Sequence, residues 1–265
     1  NPRGLADRSV PVLRVDGADG KLLAVVFGVA CHNTTLTGRH YFVCGDFAGY
    51  AQAEIQSRLP GVQAMFVQNC GGSANPYPRG TLEASQEHGH ELAEEVCRVL
   101  QSKLSPVTGP LKTVMEDVTL PLQPAPPREE LEKQAKQGRG AHRWVAQQML
   151  KVLDEKGRLP TTYTTPVAVW QFGDSLTLVG LPMEVVVDYV PLLEDTLGPL
   201  NLWIAAYCND VSGYIPSRKT LKEGGYETRG LYARSIGLFA PETEDVLTAH
   251  VRRLAEAAGR QLPQP

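Results

Sequence analysis

The chain has 265 residues, 42% hydrophobic and 21% charged, and a formal net charge of −3. These are the proportions of a chain that can bury a core, and they exclude collagen-like, coiled-coil and largely disordered architectures. With no basic excess, the chain as a whole carries no field that draws nucleic acid or an anionic membrane surface.

The sequence opens Asn1-Pro2-Arg3 without Met, which reads as a fragment or a processed chain. Its longest apolar run, Leu22 to Cys31, is too short for a bilayer, which needs about 18 residues or more. Cys31, Cys44, Cys70, Cys97 and Cys208 are too dispersed for a disulfide framework, and no CxxC spacing suggests a structural zinc site.

In chain order, Val10 to Val15 and Leu22 to Cys31 flank an Asp/Gly-rich linker and predict a hairpin. Asp46 can cap a helix from Phe47 to Leu59, which Pro60-Gly61 ends. Val62 to Gln68 predicts a buried strand, followed by the small-residue loop from Asn69 to Pro76 and a long helix from Leu82 to Leu104. Leu111 to Leu122 alternates like a half-exposed strand. Pro124-Ala125-Pro126-Pro127 breaks it, and residues 124–158 form a helical insertion, a candidate lid, split near Gly138-Arg139-Gly140. Strands over Thr161–Phe172 and Leu176–Leu181, an amphipathic helix from Glu184 to Leu197 and a strand over Leu202–Cys208 follow. A helix from Pro241 to Leu262 with an acidic first turn closes the chain. Hairpins mixed with helices predict an α+β or mixed α/β fold, one domain with a layered mixed sheet, and no Gly-rich phosphate loop matches a known spacing.

Four places at strand ends carry candidate chemistry. His32 follows an apolar strand, where it is a structural imidazole, a metal ligand or a proton shuttle. Asp46 follows Cys44-Gly45 and is explained by capping alone. Glu184 sits at the junction after Leu181-Pro182-Met183, as a helix cap or a metal ligand. Tyr214 lies in a turn-rich segment after a strand and reads by default as a packed aromatic. Glu87-His88-Gly89-His90-Glu91 looks like a metal motif, but on a helix His88 and His90 point about 200° apart and cannot easily share an ion. There is no Gly-x-Ser-x-Gly elbow. A cysteine nucleophile, Cys31 or Cys44, has no supporting local signature.

Read in order, five blocks resemble the neutral/alkaline (non-lysosomal) ceramidase family, and more closely its shorter bacterial relatives. They are Phe27 to Leu36, Gly45 to Ala51, Phe66 to Gly72 through Asn75-Pro76, Leu181 to Glu184, and Tyr207 to Asp210 through Gly213 to Ser217. The resemblance implies a zinc-dependent hydrolase of the amide bond in ceramide-like N-acyl lipids, acting through metal-activated water. It also implies a secreted or periplasmic location. It places one zinc on His32, Glu184 and Tyr214, with a further His in a segment upstream of Asn1, and makes the chain the later part of a larger catalytic domain. Tyr214 and Asp46 carry over as catalytic positions. Gly45 occupies the place of the family's Ser, which puts ceramide specificity in question, and Ser73 replaces an Asp found before the Asn-Pro loop in many members. The alternative readings are a catalytically degenerate or binding relative, or a hydrolase of a different substrate. No oligomeric state is implied.

Overall fold

The computed structural model describes residues 4–228 and 237–263. Two mixed sheets carry the fold. In the first, β1 (Val12–Asp16) pairs antiparallel with β2 (Leu22–Val29), and β2 pairs parallel with β3 (Gln63–Gln68). The predicted hairpin is therefore present. A parallel pair needs a crossover, which α1 (Asp46–Arg58) supplies. With α2 (Leu82–Leu100), α1 covers one face and buries Val25, Phe27, Ile55 and Val96 completely. A side chain as large as Phe27 contributes about 1.5–3 kcal/mol on full burial.

The second sheet runs in the order β4 (Leu111–Pro121), β5 (Thr162–Phe172), β6 (Leu176–Gly180), β8 (Leu202–Ala205). Its first two pairings are antiparallel and β6–β8 is parallel. Helices α5 (Tyr189–Leu197) and α7 (Thr243–Ala258) pack on it around Val167, Val179, Leu193, Leu247 and Val251. The sequence-predicted insertion is a helical hairpin, α3 (Arg128–Gln137) and α4 (Gly140–Lys156), with its own small cluster of Leu131, Ala146 and Met149. No helix among the described residues is long and apolar enough to cross a membrane.

The two sheets meet where β3 and β8 end. Asn69 bridges Ala205, Ala206 N donates to Gln68 O at 2.9 Å, and the Trp203 indole donates to Asn69 Oδ1 at 2.8 Å. At this seam a two-residue parallel ladder joins β7 (Glu184–Val185) to β9 (Tyr214–Ile215). A short helix, α6 (Arg218–Glu223), and a single 3₁₀ turn at Tyr226–Thr228 follow β9.

Three sequence readings are corrected, two of them at this seam. The predicted helix from Glu184 begins only at Tyr189. Pro191 has no N–H for an intrahelical bond to Val187 and tolerates only the first turn of a helix. Glu184-Val185 accordingly extends and pairs with Tyr214-Ile215 instead, and Val186 N still donates to Ile215 O at 3.3 Å before the chain turns at Val187. The predicted strand over Leu202–Cys208 stops at Ala205, because Tyr207 turns to φ +60°. Asp46 does not cap α1 from outside: it is the first helical residue at φ +52°, and Gly45 precedes it with no side-chain cap. The Asp46 carboxylate instead accepts from Leu36 N at 2.8 Å, Phe47 N at 2.7 Å and Ser85 Oγ at 3.3 Å. It thereby ties the loop after β2 to both helices.

Candidate functional site

His32 lies just beyond β2, where its N–H donates to Ala74 O at 3.0 Å. Its Nε2 faces Gly72 O at 3.3 Å. An Nε2–H donated to that carbonyl leaves Nδ1 as the bare lone pair. Nδ1 lies 3.6 Å from Glu184 Oε2, with both side chains nearly buried. The ladder carries Glu184 here: it stands opposite Tyr214, and its N–H donates to Gly213 O at 3.0 Å. The Tyr214 ring meets the His32 ring edge-on, with centroids 6.1 Å apart, and meets Tyr226 at 5.5 Å.

A fourth group, absent from the sequence-predicted site residues, completes this cluster. The Tyr207 hydroxyl is 3.0 Å from His32 Nδ1 and 3.3 Å from Glu184 Oε2, and its ring meets the imidazole at 6.1 Å. Burial first, and then the Glu184 charge, push this phenol well above its ordinary value, so it stays protonated at neutral pH. One hydroxyl proton thus serves two acceptors. The signal in the sequence was a polar aromatic at the end of an apolar strand, directly before turn formers. Its left-handed backbone, costing about 1–3 kcal/mol in a residue with a Cβ, belongs to the tertiary structure.

Below Tyr207 the same loop is pinned by Asp210, which accepts from Tyr163 OH at 2.7 Å and Thr165 Oγ1 at 3.1 Å. Both donors come from β5. The second sheet therefore holds Tyr207 and Tyr214, and the first holds His32.

His32, Glu184 and Tyr214 are thus brought together, and Asp46 and Gly45 lie at the start of α1. Gly45 is exposed, and a Cβ there would fall 2.9 Å from Gly49 Cα. The two histidines of the α2 motif diverge as read: His88 Nε2 lies 2.7 Å from Pro78 O, whereas His90 Nδ1 lies 2.9 Å from Glu54. The glycine between them is a packing residue, since a Cβ at Gly89 would fall 2.5 Å from Tyr50 Cβ. Glu54, His90 and Glu94 offer ligand atoms within 4.8 Å of one another and could hold a cation. The Arg58 guanidinium already pairs with both carboxylates.

The His32 cluster fits a zinc ion by its donor chemistry. Tetrahedral ligands at about 2.0–2.2 Å from zinc stand roughly 3.3–3.6 Å apart, which is the observed separation of His32 Nδ1 and Glu184 Oε2. The donor set is an imidazole nitrogen, a carboxylate and phenol oxygens, all of types that zinc accepts. Cys31, beside His32, is a poor thiolate: burial and the Asp46 charge push its thiol up to about 11.

No protein-family model and no curated protein matches the sequence. Two solved structures match the fold. One is the neutral ceramidase from Pseudomonas aeruginosa, with TM-score 0.69 and 19% identity, covering 98% of this chain and 48% of that one. The other is a ceramidase complexed with C2, with TM-score 0.71 and 17% identity, covering 97% of this chain and 49% of that one. The fold is ceramidase-like. The chain spans about half the length of these structures, and the ceramidase-like fold places the His32 cluster at the junction of its two sheets.

Proposed function

We propose that the chain carries the metal-binding side of a zinc-dependent hydrolase that cleaves a linear amide in a lipid-like N-acyl compound. The observation that carries this reading is the buried approach of His32 Nδ1 to Glu184 Oε2 at 3.6 Å, closed by two tyrosines. His32, Glu184 and Tyr214 hold the ion. A zinc ion so held supplies a Lewis acid for an amide carbonyl and a bound water of near-neutral pKa.

The protein's own groups have separate tasks. Gly72 O orients the imbalanced imidazole by accepting from Nε2, the outer-shell support that ligating histidines require. Before an ion binds, the Tyr207 hydroxyl lies against His32 Nδ1 and Glu184 Oε2; with the Nδ1 lone pair given to an ion, the hydroxyl proton is left to Glu184. Asp46 fixes the loop that delivers His32. The α3–α4 hairpin is the proposed lid, and a secreted or periplasmic location follows from the same family reading.

Zinc titration against a competing chelator tests this. The protein binds about one zinc, and His32→Ala and Glu184→Ala each weaken it by more than tenfold; unchanged affinity in both variants overturns the assignment. A second reading, a non-ceramide substrate or a binding relative, is favoured by Gly45, where the structure offers neither a hydroxyl nor room for one. Zinc-dependent turnover of a short N-acyl amide without turnover of ceramide selects the first of these. Zinc binding with no turnover of any N-acyl compound selects the second.

A further inference from the structure

Two loops beside His32 carry apolar side chains that neither core uses. One, residues 30–45, leads from β2 to α1, and the other, residues 69–81, leads from β3 to α2. They are fastened together by His32 N to Ala74 O at 3.0 Å, Gly80 N to Thr35 O at 2.7 Å and Thr34 Oγ1 to Asn75 Oδ1 at 2.9 Å. On this shared platform Tyr41, Val43 and Tyr77 are 95%, 106% and 90% exposed, and Phe42 is 52% exposed. Single apolar residues on a surface are ordinary, but three consecutive exposed apolar residues on one loop, with an exposed tyrosine on the loop fastened to it, suit a contact site.

The charge of the platform gives the kind of contact. Arg39 and His40 precede the apolar run and Arg79 follows Tyr77, whereas neither loop contains an Asp or Glu. The chain carries −3 overall, so the charge of these two loops is opposite to that of the whole. Side chains exposed to this degree project as tips and do not line a groove. Aromatic and aliphatic tips with a basic flank match the layered chemistry of a lipid surface: apolar chain beneath, anionic headgroup above.

We infer that the Tyr41-Phe42-Val43 tip and Tyr77 insert into an anionic lipid surface, with Arg39 and Arg79 against its headgroups. This deepens the proposed function, on which it rests only for its purpose: the loop that docks is the loop that carries His32, so a lipid amide enters the site from the surface that presents it. The face also qualifies the sequence-level exclusion, because net charge averages away a local patch.

Vesicle co-sedimentation of the full chain tests it, with phosphatidylcholine alone and with phosphatidylcholine containing phosphatidylglycerol. The wild type partitions onto the anionic vesicles, more weakly at high salt. The double variant Arg39→Gln/Arg79→Gln lowers partitioning about thirtyfold, since each basic residue at such a surface contributes about 1 kcal/mol. The triple variant Tyr41→Ser/Phe42→Ser/Val43→Ser abolishes it. All these positions are exposed, and an unchanged thermal transition verifies folding. A wild type that stays in the supernatant, or variants that bind as the wild type does, overturns the inference. So does a triple variant that changes only the oligomeric state on gel filtration, which would assign the tip to a second copy of the chain. Vesicle binding is read without turnover. A wild type that binds vesicles but hydrolyses no N-acyl amide therefore refutes the hydrolase reading and leaves the docking face standing.

Discussion

Gly72 lies against the backbone of Glu184 at a distance that only a glycine allows. A Cβ on Gly72 would fall 2.6 Å from Glu184 O and 2.8 Å from Val185 O, while Gly72 N donates to Val185 O at 2.9 Å. The Gly72 carbonyl meanwhile faces His32 Nε2 at 3.3 Å. One residue therefore sets the spacing of the two groups on which the candidate metal centre depends.

Gly72→Ala must push β7 away or shift the loop. Overpacking of this kind costs about 1–3 kcal/mol, and the displacement moves Glu184 relative to His32. Thermal denaturation shows the loss of stability and zinc titration shows a parallel loss of affinity. An alanine variant with wild-type affinity separates Gly72 from the site.

Tyr207→Phe removes one hydroxyl and leaves the ring against His32. Both His32 Nδ1 and Glu184 Oε2 lose a partner 3.0–3.3 Å away. If the hydroxyl supports the Glu184 carboxylate from outside, affinity for zinc falls about 10- to 100-fold, whereas Tyr214→Phe, at a proposed ligand, loses more. A Tyr207→Phe variant that loses more affinity than Tyr214→Phe would exchange the roles of the two tyrosines.

The helical insertion leaves from paired strands. Pro121 stands opposite Thr162 in the β4–β5 register, and Leu122 N donates to Thr161 O at 2.8 Å. The ends to be joined are therefore already adjacent. Replacing residues 124–159 by a short Asn-Gly-containing turn keeps the cooperative unfolding transition, because such turns close antiparallel pairs and the α3–α4 cluster is separate from the main cores. A lid role appears as a changed KM for an N-acyl amide, and unchanged kinetics removes it.

Thiol alkylation near neutral pH discriminates among the cysteines. Cys44 is exposed, whereas burial pushes Cys31 and Cys208 up to about 11 and Cys70 is fully enclosed. The reactive species is the thiolate, so a raised pKa means slow reaction until strongly alkaline pH. Mass spectrometry after brief alkylation finds the label on Cys44 ahead of Cys31, Cys70 and Cys208. Rapid labelling of Cys31 at pH 7 contradicts its buried setting and reopens a cysteine nucleophile.

His250 on α7 gives a pH signature distant from the site. Desolvation, and then the Arg253 charge, hold its imidazole below the usual 6.5, with Glu116 opposing. A depressed folded-state pKa makes the unfolded chain bind more protons between the two values. The contribution is fully present above about 6.5 and is lost as pH falls through the folded value. Proton NMR finds His250 titrating below a free histidine, and His250→Asn flattens the fall in melting temperature over that window.

Much of the fold was legible because period and punctuation act locally. The β1–β2 hairpin, α1, β3, α2 and the α3–α4 split near Gly138 all follow from alternation, helical spacing and Gly/Pro breaks. Glu184 misled because Tyr189 to Leu197 is helical and its apolar pattern extends backwards without a visible break. Pro191 was the local clue, and the pairing of Glu184 with Tyr214 is non-local. Tyr207 was masked for the same reason: a strand pattern says nothing of the residue that turns back from it.

The sequence by itself determined most element types and the mixed α/β class, because short-range periodicity is written in consecutive letters, and its resemblance to a known family singled out His32, Glu184 and Tyr214 as candidates. Only the tertiary structure decided that two sheets meet at Asn69 and Trp203, that Gly72 spaces β7 from His32, and that Tyr207 stands between the imidazole and the carboxylate. Those relations depend on packing distances between segments far apart in the chain, where steric exclusion and hydrogen-bond satisfaction select one arrangement from many compatible with the same local pattern.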